Sequence, residues 1–201
     1  MSFLESLPAD AHLGEVFGRF DRGLEALLRF HDDVLRANSS LSIAERELLA
    51  AYVSAQNDCR FCFNSHRVYA AKYGIAPDLF DAIINDLETA PVTPALRELL
   101  AFAGKLTREP ARLIATDLKR LTDAGWSDDA IHDAILVVGL FCMMNRIVFG
   151  HGVSAHDSLY SERLDQTLAQ PQNEREAANA KDTGTNTYQT FGQSLKTRQK
   201  E

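Results

Sequence analysis

Residues 42–74 read SIAERELLAAYVSAQNDCRFCFNSHRVYAAKYG. Ser42 followed three residues later by Glu45 is a capping-box signal, because each side chain can satisfy the other's free backbone N–H. The pattern predicts a helix from there to about Ala55. Asn57-Asp58 breaks it, and a second helix carries Cys59-Arg60-Phe61-Cys62 and stops near Gly74, a residue suited to a helix C-terminus. Outward from this pair the pattern stays helical. An amphipathic stretch covers roughly 11–37, with Leu24, Leu27, Leu28, Val34 and Leu35 at helical spacing. Pro77 opens a helix, Pro94 after Thr93 opens another, and Pro110 precedes one that ends near Gly125. Ser127-Asp128-Asp129 caps a long apolar helix through Ile131, Ile135, Val138 and Phe141 to about Phe149. No segment sustains the alternation of a strand. The expected class is all-α.

The middle of the chain carries an internal echo. Arg46-Glu47-Leu48-Leu49-Ala50 recurs as Arg97-Glu98-Leu99-Leu100-Ala101, and Gly74 and Asp78 recur at the same offset as Gly125 and Asp129. A shared offset at separated points favours a helical repeat. The cysteines occur in the first copy alone, so the second reads as scaffold. Residues 1–168 are expected to form one domain, with its cysteine-bearing core at about 40–155. Residues 169–201 are rich in Gln, Asn, Thr and charge and read as a mobile tail or an oligomerisation arm, with Tyr188 and Phe191 as anchors.

Composition narrows the function. The net charge of -7 argues against a nucleic-acid surface. No uninterrupted apolar run approaches the roughly 20 residues that span a bilayer, and the start, MSFLESLPADAH, lacks the pattern of a secretory signal. A cytoplasmic protein is expected, with its three cysteines reduced. Three is a poor count for a disulfide scaffold and a fair one for a redox pair plus a spare, Cys142.

Chemistry concentrates at the dithiol. Cys62 falls just inside the expected helix start, where free N–H groups stabilise a thiolate. His66 is four residues on, within reach of Cys62 directly or through a water. If the two helices pack antiparallel, Glu47 can hydrogen-bond His66 and hold the imidazole as a base. Other readings of the same residues stay open. Cys59, Cys62, His66 and Glu47 are acceptable zinc ligands, and the thiols could be inert. Cys142 reads as a buried core thiol, His132 as a surface residue, and His12 and His31 as surface or helix-packing residues. His151, flanked by glycines, is a candidate for a second site, His156 does not share a helical face with it, and Trp126 reads as a plug in the core. No Gly-rich nucleotide loop follows a strand, so no flavin or nicotinamide site is expected.

Glu47, then Cys59-x-x-Cys62, then x-x-x-His66 resembles the signature of the alkylhydroperoxidase D and carboxymuconolactone decarboxylase superfamily. Phe141-Cys142-Met143-Met144-Asn145-Arg146, running into Gly150-His151-Gly152-Val153, is similar to its peroxidase-related branch. The resemblance covers roughly 40–155. It implies an oligomeric all-α bundle and a thiol peroxidase with no cofactor and no metal. In that family Cys62 would be the peroxidatic thiol, Cys59 the resolving thiol, and Glu47 and His66 the proton relay. Hydroperoxides would be the substrate, and an external dithiol or disulfide reductase the electron donor. One position departs from the pattern: Phe61 stands where members with established peroxidase activity often have a histidine. Two alternatives carry different chemistry. One is a carboxymuconolactone decarboxylase-like enzyme that does not use redox thiols. The other is a non-enzymatic redox or zinc sensor.

Overall fold

Helix α3, Ile43–Gln56, is the axle of the molecule, with nearly every residue from Ile43 to Ser54 buried. It starts where the capping box places it: Ser42 Oγ accepts from Glu45 N at 3.2 Å, and Glu45 Oε2 accepts from Ser42 N at 2.8 Å. After the left-handed Asp58, α4 runs back along α3 from Arg60 to Lys72. The computed structural model describes residues 2–198, and among these the chain is helical with no strand. Around the central pair lie α1 (Leu13–Arg19), α2 (Leu24–Leu35), α5 (Asp78–Asn85), α6 (Pro94–Arg108), α7 (Ala115–Asp123) and α8 (Asp128–His151). The last three helices are α9 (Asp157–Leu168), α10 (Gln172–Asp182) and α11 (Thr187–Arg198). Leu48, Leu49 and Val53 of α3, Leu99 and Leu100 of α6, and Phe141 of α8 meet in one core. Each such side chain contributes about 1.5–3 kcal/mol through removal from water.

The internal repeat is real in three dimensions. Arg46 on α3 donates to the carbonyls of Val34 and Ala37, and Arg97 on α6 donates to those of Leu87 and Ala90. Both arginines thus satisfy carbonyls of the segment that leads into their own helix, groups otherwise orphaned at a helix end or turn. Gly74 and Gly125 share a φ of 98°. The bonds that follow them match, Ile75 N to Ala70 O and Trp126 N to Leu121 O, both 3.0 Å. Arg46, which its neighbours make look like a surface charge, is therefore buried. In the second copy Glu98 pairs with Arg120 at the surface and no thiol is present. Pro110 shifts its second helix, giving a 3-10 turn at Pro110–Arg112 before α7.

Three expectations need correction. The stretch 11–37 is two helices, because Gly23 adopts φ 77° at the α2 N-cap. Helix α8 is long and apolar enough to cross a membrane by length and composition, with a mean hydropathy of 1.7 over its most apolar 18 residues. Here it packs on α3, α6 and α2 and leaves Ile135, Met143 and Phe149 exposed. The polar segment expected as a mobile tail or an oligomerisation arm is helical and folded onto its own chain. Asn179 of α10 bridges the two ends of the hairpin, accepting from Ala44 N at 3.0 Å and donating to Tyr73 O at 3.2 Å. Arg175 donates to Ala71 O at 2.7 Å. The Asp32 carboxylate caps α11 by accepting from Tyr188 N at 2.8 Å and Gln189 N at 2.9 Å. The segment docks through hydrogen bonds to helix ends together with packing of Tyr188 and Leu195 on the core, and a polar composition does not reveal the bonded part.

Candidate active site

The α3–α4 hairpin brings together the residues that the sequence nominates. Cys59 is the N-cap of α4 and Cys62 lies in its first turn; both are buried, and neither is in a disulfide. One turn further, His66 faces α3, and its Nδ1–H donates to Glu47 Oε2 at 2.6 Å. The other carboxylate oxygen, Oε1, is 2.7 Å from Arg36 Nη2. Arg36 is fully buried at the end of α2, and its Nη1 donates to Leu35 O at 3.0 Å. The guanidinium lies 5.3–5.8 Å from the ring centres of Tyr69, Tyr73 and Tyr188, a cation–π setting.

Electrostatics follow from this burial. Removal from water would raise the Glu47 carboxyl, but Arg36 and His66 outweigh it and hold the group below its ordinary range. The carboxylate is therefore ionised. It fixes the His66 tautomer with Nδ1 protonated and Nε2 free to take a proton.

The two thiols share a hydrogen bond. That bond and the backbone N–H of Cys62 lower the pKa of Cys59. The same bond, burial and the charge on Cys59 push Cys62 up. The bond between the thiols thus places the lowered pKa at Cys59, where the sequence reading expects it at Cys62.

A pocket of about 330 Å³ opens beside the hairpin. Cys62 and His66 border it and Cys59 does not. No direct hydrogen bond joins His66 to either thiol among the described residues. Phe61, Phe141 and Met144 make much of the wall apolar. Phe61 packs edge-on against His12 and Tyr160, with ring centres 4.9 and 5.7 Å away. No group of three or more His, Cys, Asp or Glu side chains converges as a metal site among the described residues. The zinc alternative would need Glu47, and both of its oxygens are already engaged.

Several contributors carry little or no sequence signal. Arg36 is one. Asn145 on α8 is another: its Oδ1 accepts from Asn57 Nδ2 at 2.9 Å, and its Nδ2 donates to Ser54 Oγ at 3.1 Å. These bonds fix the amide orientation, so its remaining N–H serves the thiol pair, where it favours the thiolate. Asn145 stands in the Phe141–Arg146 string, which was the available clue. His31 and His12 also border the pocket. His31 is 4% exposed, so the surface reading fails for it. Cys142 is half-buried on an open apolar patch of α8 with Met143 and Ile147, not sealed in the core. His132 is exposed as expected, and Trp126 Nε1 donates to Ala95 O at 2.8 Å.

Burial lowers the His31 pKa to about 4. The unfolded chain takes up a proton at His31 near pH 6.5 and the folded chain does so only near pH 4, so stability falls as pH drops across that interval. The expected contribution is about 3 kcal/mol. Urea unfolding at pH 6.5 and pH 4 measures it. A His31→Gln variant should show a smaller fall by about that amount, and an unchanged fall would refute the assignment.

Comparison with known proteins agrees with this architecture. Residues 22–105 match the model of the carboxymuconolactone decarboxylase family. An uncharacterized peroxidase-related protein from Silicibacter sp. TM1040 is 28% identical, with a TM-score of 0.66 over 71% of this chain and 74% of that one. An uncharacterized peroxidase-related protein from Ralstonia eutropha JMP134, described as an alkylhydroperoxidase AhpD core, shares the fold. It is 23% identical, with a TM-score of 0.67 over 73% of this chain and 77% of that one. No curated protein matches the chain. With its repeated helical hairpin, its family-model match over residues 22–105 and these structural relatives, the chain is similar to the alkylhydroperoxidase D and carboxymuconolactone decarboxylase superfamily.

Proposed function

We propose that the protein is a thiol-dependent peroxidase that reduces hydroperoxides through Cys62 and Cys59. The observation that carries this reading is the shared pocket: Cys62, with Cys59 hydrogen-bonded behind it, and His66, backed by ionised Glu47, border the same mostly apolar cavity. The cycle balances without a cofactor. Cys62 gives its proton to His66 Nε2, through a water because the two groups are not directly bonded, and attacks the distal peroxide oxygen. The O–O bond breaks, the alkoxide takes the proton from His66, and Cys62 becomes a sulfenic acid. Cys59 then attacks the Cys62 sulfur, expels water and closes the disulfide, which an external dithiol or disulfide reductase reopens. Glu47 keeps its charge throughout and stabilises protonated His66.

Three free cysteines suit a reducing compartment, and we place the protein in the cytoplasm. The exposed stripe of Ile135, Met143 and Phe149 on α8 supports a homo-oligomer. Light scattering at micromolar concentration should give a mass above one chain; a monomer would sink that part. The central test is thiol titration before and after tert-butyl hydroperoxide, with mass mapping. The expected result is loss of two thiols per chain and a Cys59–Cys62 linkage. Unchanged thiols would overturn the reading and favour chemistry that does not use the dithiol.

A further inference from the structure

His31 is a group that the cycle above leaves idle. It sits on α2, buried, and borders the cavity that Cys62 and His66 share. Its Nδ1 lies 2.8 Å from Leu27 O. A carbonyl can only accept, so Nδ1 carries the proton and Nε2 the lone pair. Nε2 has no hydrogen-bond partner among the described residues, and it is not one of the side-chain atoms sealed away without one. The ring is held in place, 4.9 Å from Tyr188 and edge-on to Phe141 at 6.4 Å. Phe141 also packs edge-on against His66 at 4.3 Å, so the two imidazoles flank one phenyl ring. Burial keeps His31 neutral at neutral pH. The cavity therefore presents a fixed acceptor that is not a cation, in a wall where Tyr160 already bonds His12 at 3.2 Å and also Ser65.

A buried, preoriented acceptor without a partner calls for a donor from the ligand. A hydroperoxide has one such donor, the O–H of its distal oxygen, which is the atom the thiolate attacks. We propose that His31 is a substrate-positioning residue whose Nε2 accepts this O–H and holds the distal oxygen for Cys62. The inference rests on the peroxidase reading. In the step itself the sulfur–oxygen bond forms and the O–O bond breaks, with its electron pair leaving on the alkoxide. The alkoxide takes the proton from His66. The distal oxygen keeps its hydrogen, so the same O–H, now part of the sulfenic acid, remains on His31 until Cys59 displaces it. The sulfur is oxidised and the peroxide reduced. His31 gives up no proton, consistent with its low basicity.

Two electrophiles separate this role from a structural one. tert-Butyl hydroperoxide has the O–H and iodoacetamide offers no peroxide O–H. The expected result is that His31→Leu slows thiol oxidation by the hydroperoxide about tenfold, the worth of one hydrogen bond. Alkylation of Cys62 by iodoacetamide should stay within about twofold. His31→Gln, which keeps an acceptor, should recover part of the loss. His31→Met serves as the apolar variant if His31→Leu does not fold. Equal slowing of both reagents, or no slowing of either, overturns the positioning role while leaving the peroxidase reading intact. A wild-type protein inert to the hydroperoxide removes both.

Discussion

Cys62→Ser is expected to abolish hydroperoxide consumption, whereas Cys59→Ser should retain a single turnover and then stop. The expectation is not trivial, because Cys59 is the thiol with the lowered pKa. Two considerations decide for Cys62. Cys62 borders the cavity and Cys59 does not. A thiolate stabilised by hydrogen bonds also loses intrinsic nucleophilicity as its pKa falls, with a Brønsted slope of about 0.4–0.5, which offsets part of its gain in population and leaves access to decide. The shared hydrogen bond offers a route to reactive Cys62: the proton held there can pass to Cys59 or to His66. Serine at 62 does not ionise near neutral pH and cannot form a disulfide. Serine at 59 leaves the attack intact and removes the resolving step, so Cys62 should accumulate as a sulfenic acid that dimedone traps, seen by mass spectrometry. A hydroperoxide burst in Cys62→Ser, with none in Cys59→Ser, would reverse the two roles.

Much of this site was legible before its geometry was known, for identifiable reasons. Helix starts at Ser42, Thr93 and Ser127 depend on local capping, and local chemistry survives in sequence. The link from Glu47 to His66 follows from two helices joined by a tight break, since helical spacing then fixes which faces meet. What escaped depends on long-range packing. Arg36 ends a helix with an ordinary amphipathic pattern, and nothing in Leu35-Arg36-Ala37 says that the guanidinium turns inward to Glu47. His31 has the spacing of a helix-packing residue and becomes part of a cavity wall through α11, which brings Tyr188 against it. The C-terminal helices hid behind a polar composition because their docking uses hydrogen bonds to the ends of α3, α4 and α2. Which thiol carries the lowered pKa depends on the hydrogen bond between the two, and helix placement alone does not give it.

Arg36→Met is expected to lower the free energy of unfolding by about 3–5 kcal/mol, since it leaves a carboxylate in the interior without its counter-charge. That is a large part of the roughly 5–15 kcal/mol of a typical domain. Both partners are fully buried and their contact is 2.7 Å. Met fills a similar volume, so little of the loss comes from a cavity. A smaller share comes from the tyrosine rings around the guanidinium. Without Arg36, burial acts unopposed on Glu47 and favours its neutral form, which weakens its hold on protonated His66. Activity should therefore fall together with stability. The double variant Arg36→Met/Glu47→Leu separates these effects. An apolar pair can replace a buried ion pair at little cost, so the double variant should regain most of the lost stability in urea titrations. It should remain inactive, because His66 has no carboxylate behind it. A single Arg36→Met variant within about 1 kcal/mol of wild type would mean that Arg36 does not hold the Glu47 charge. The ion pair earns its place through the relay it supports: a protein selected for stability alone could use the apolar pair.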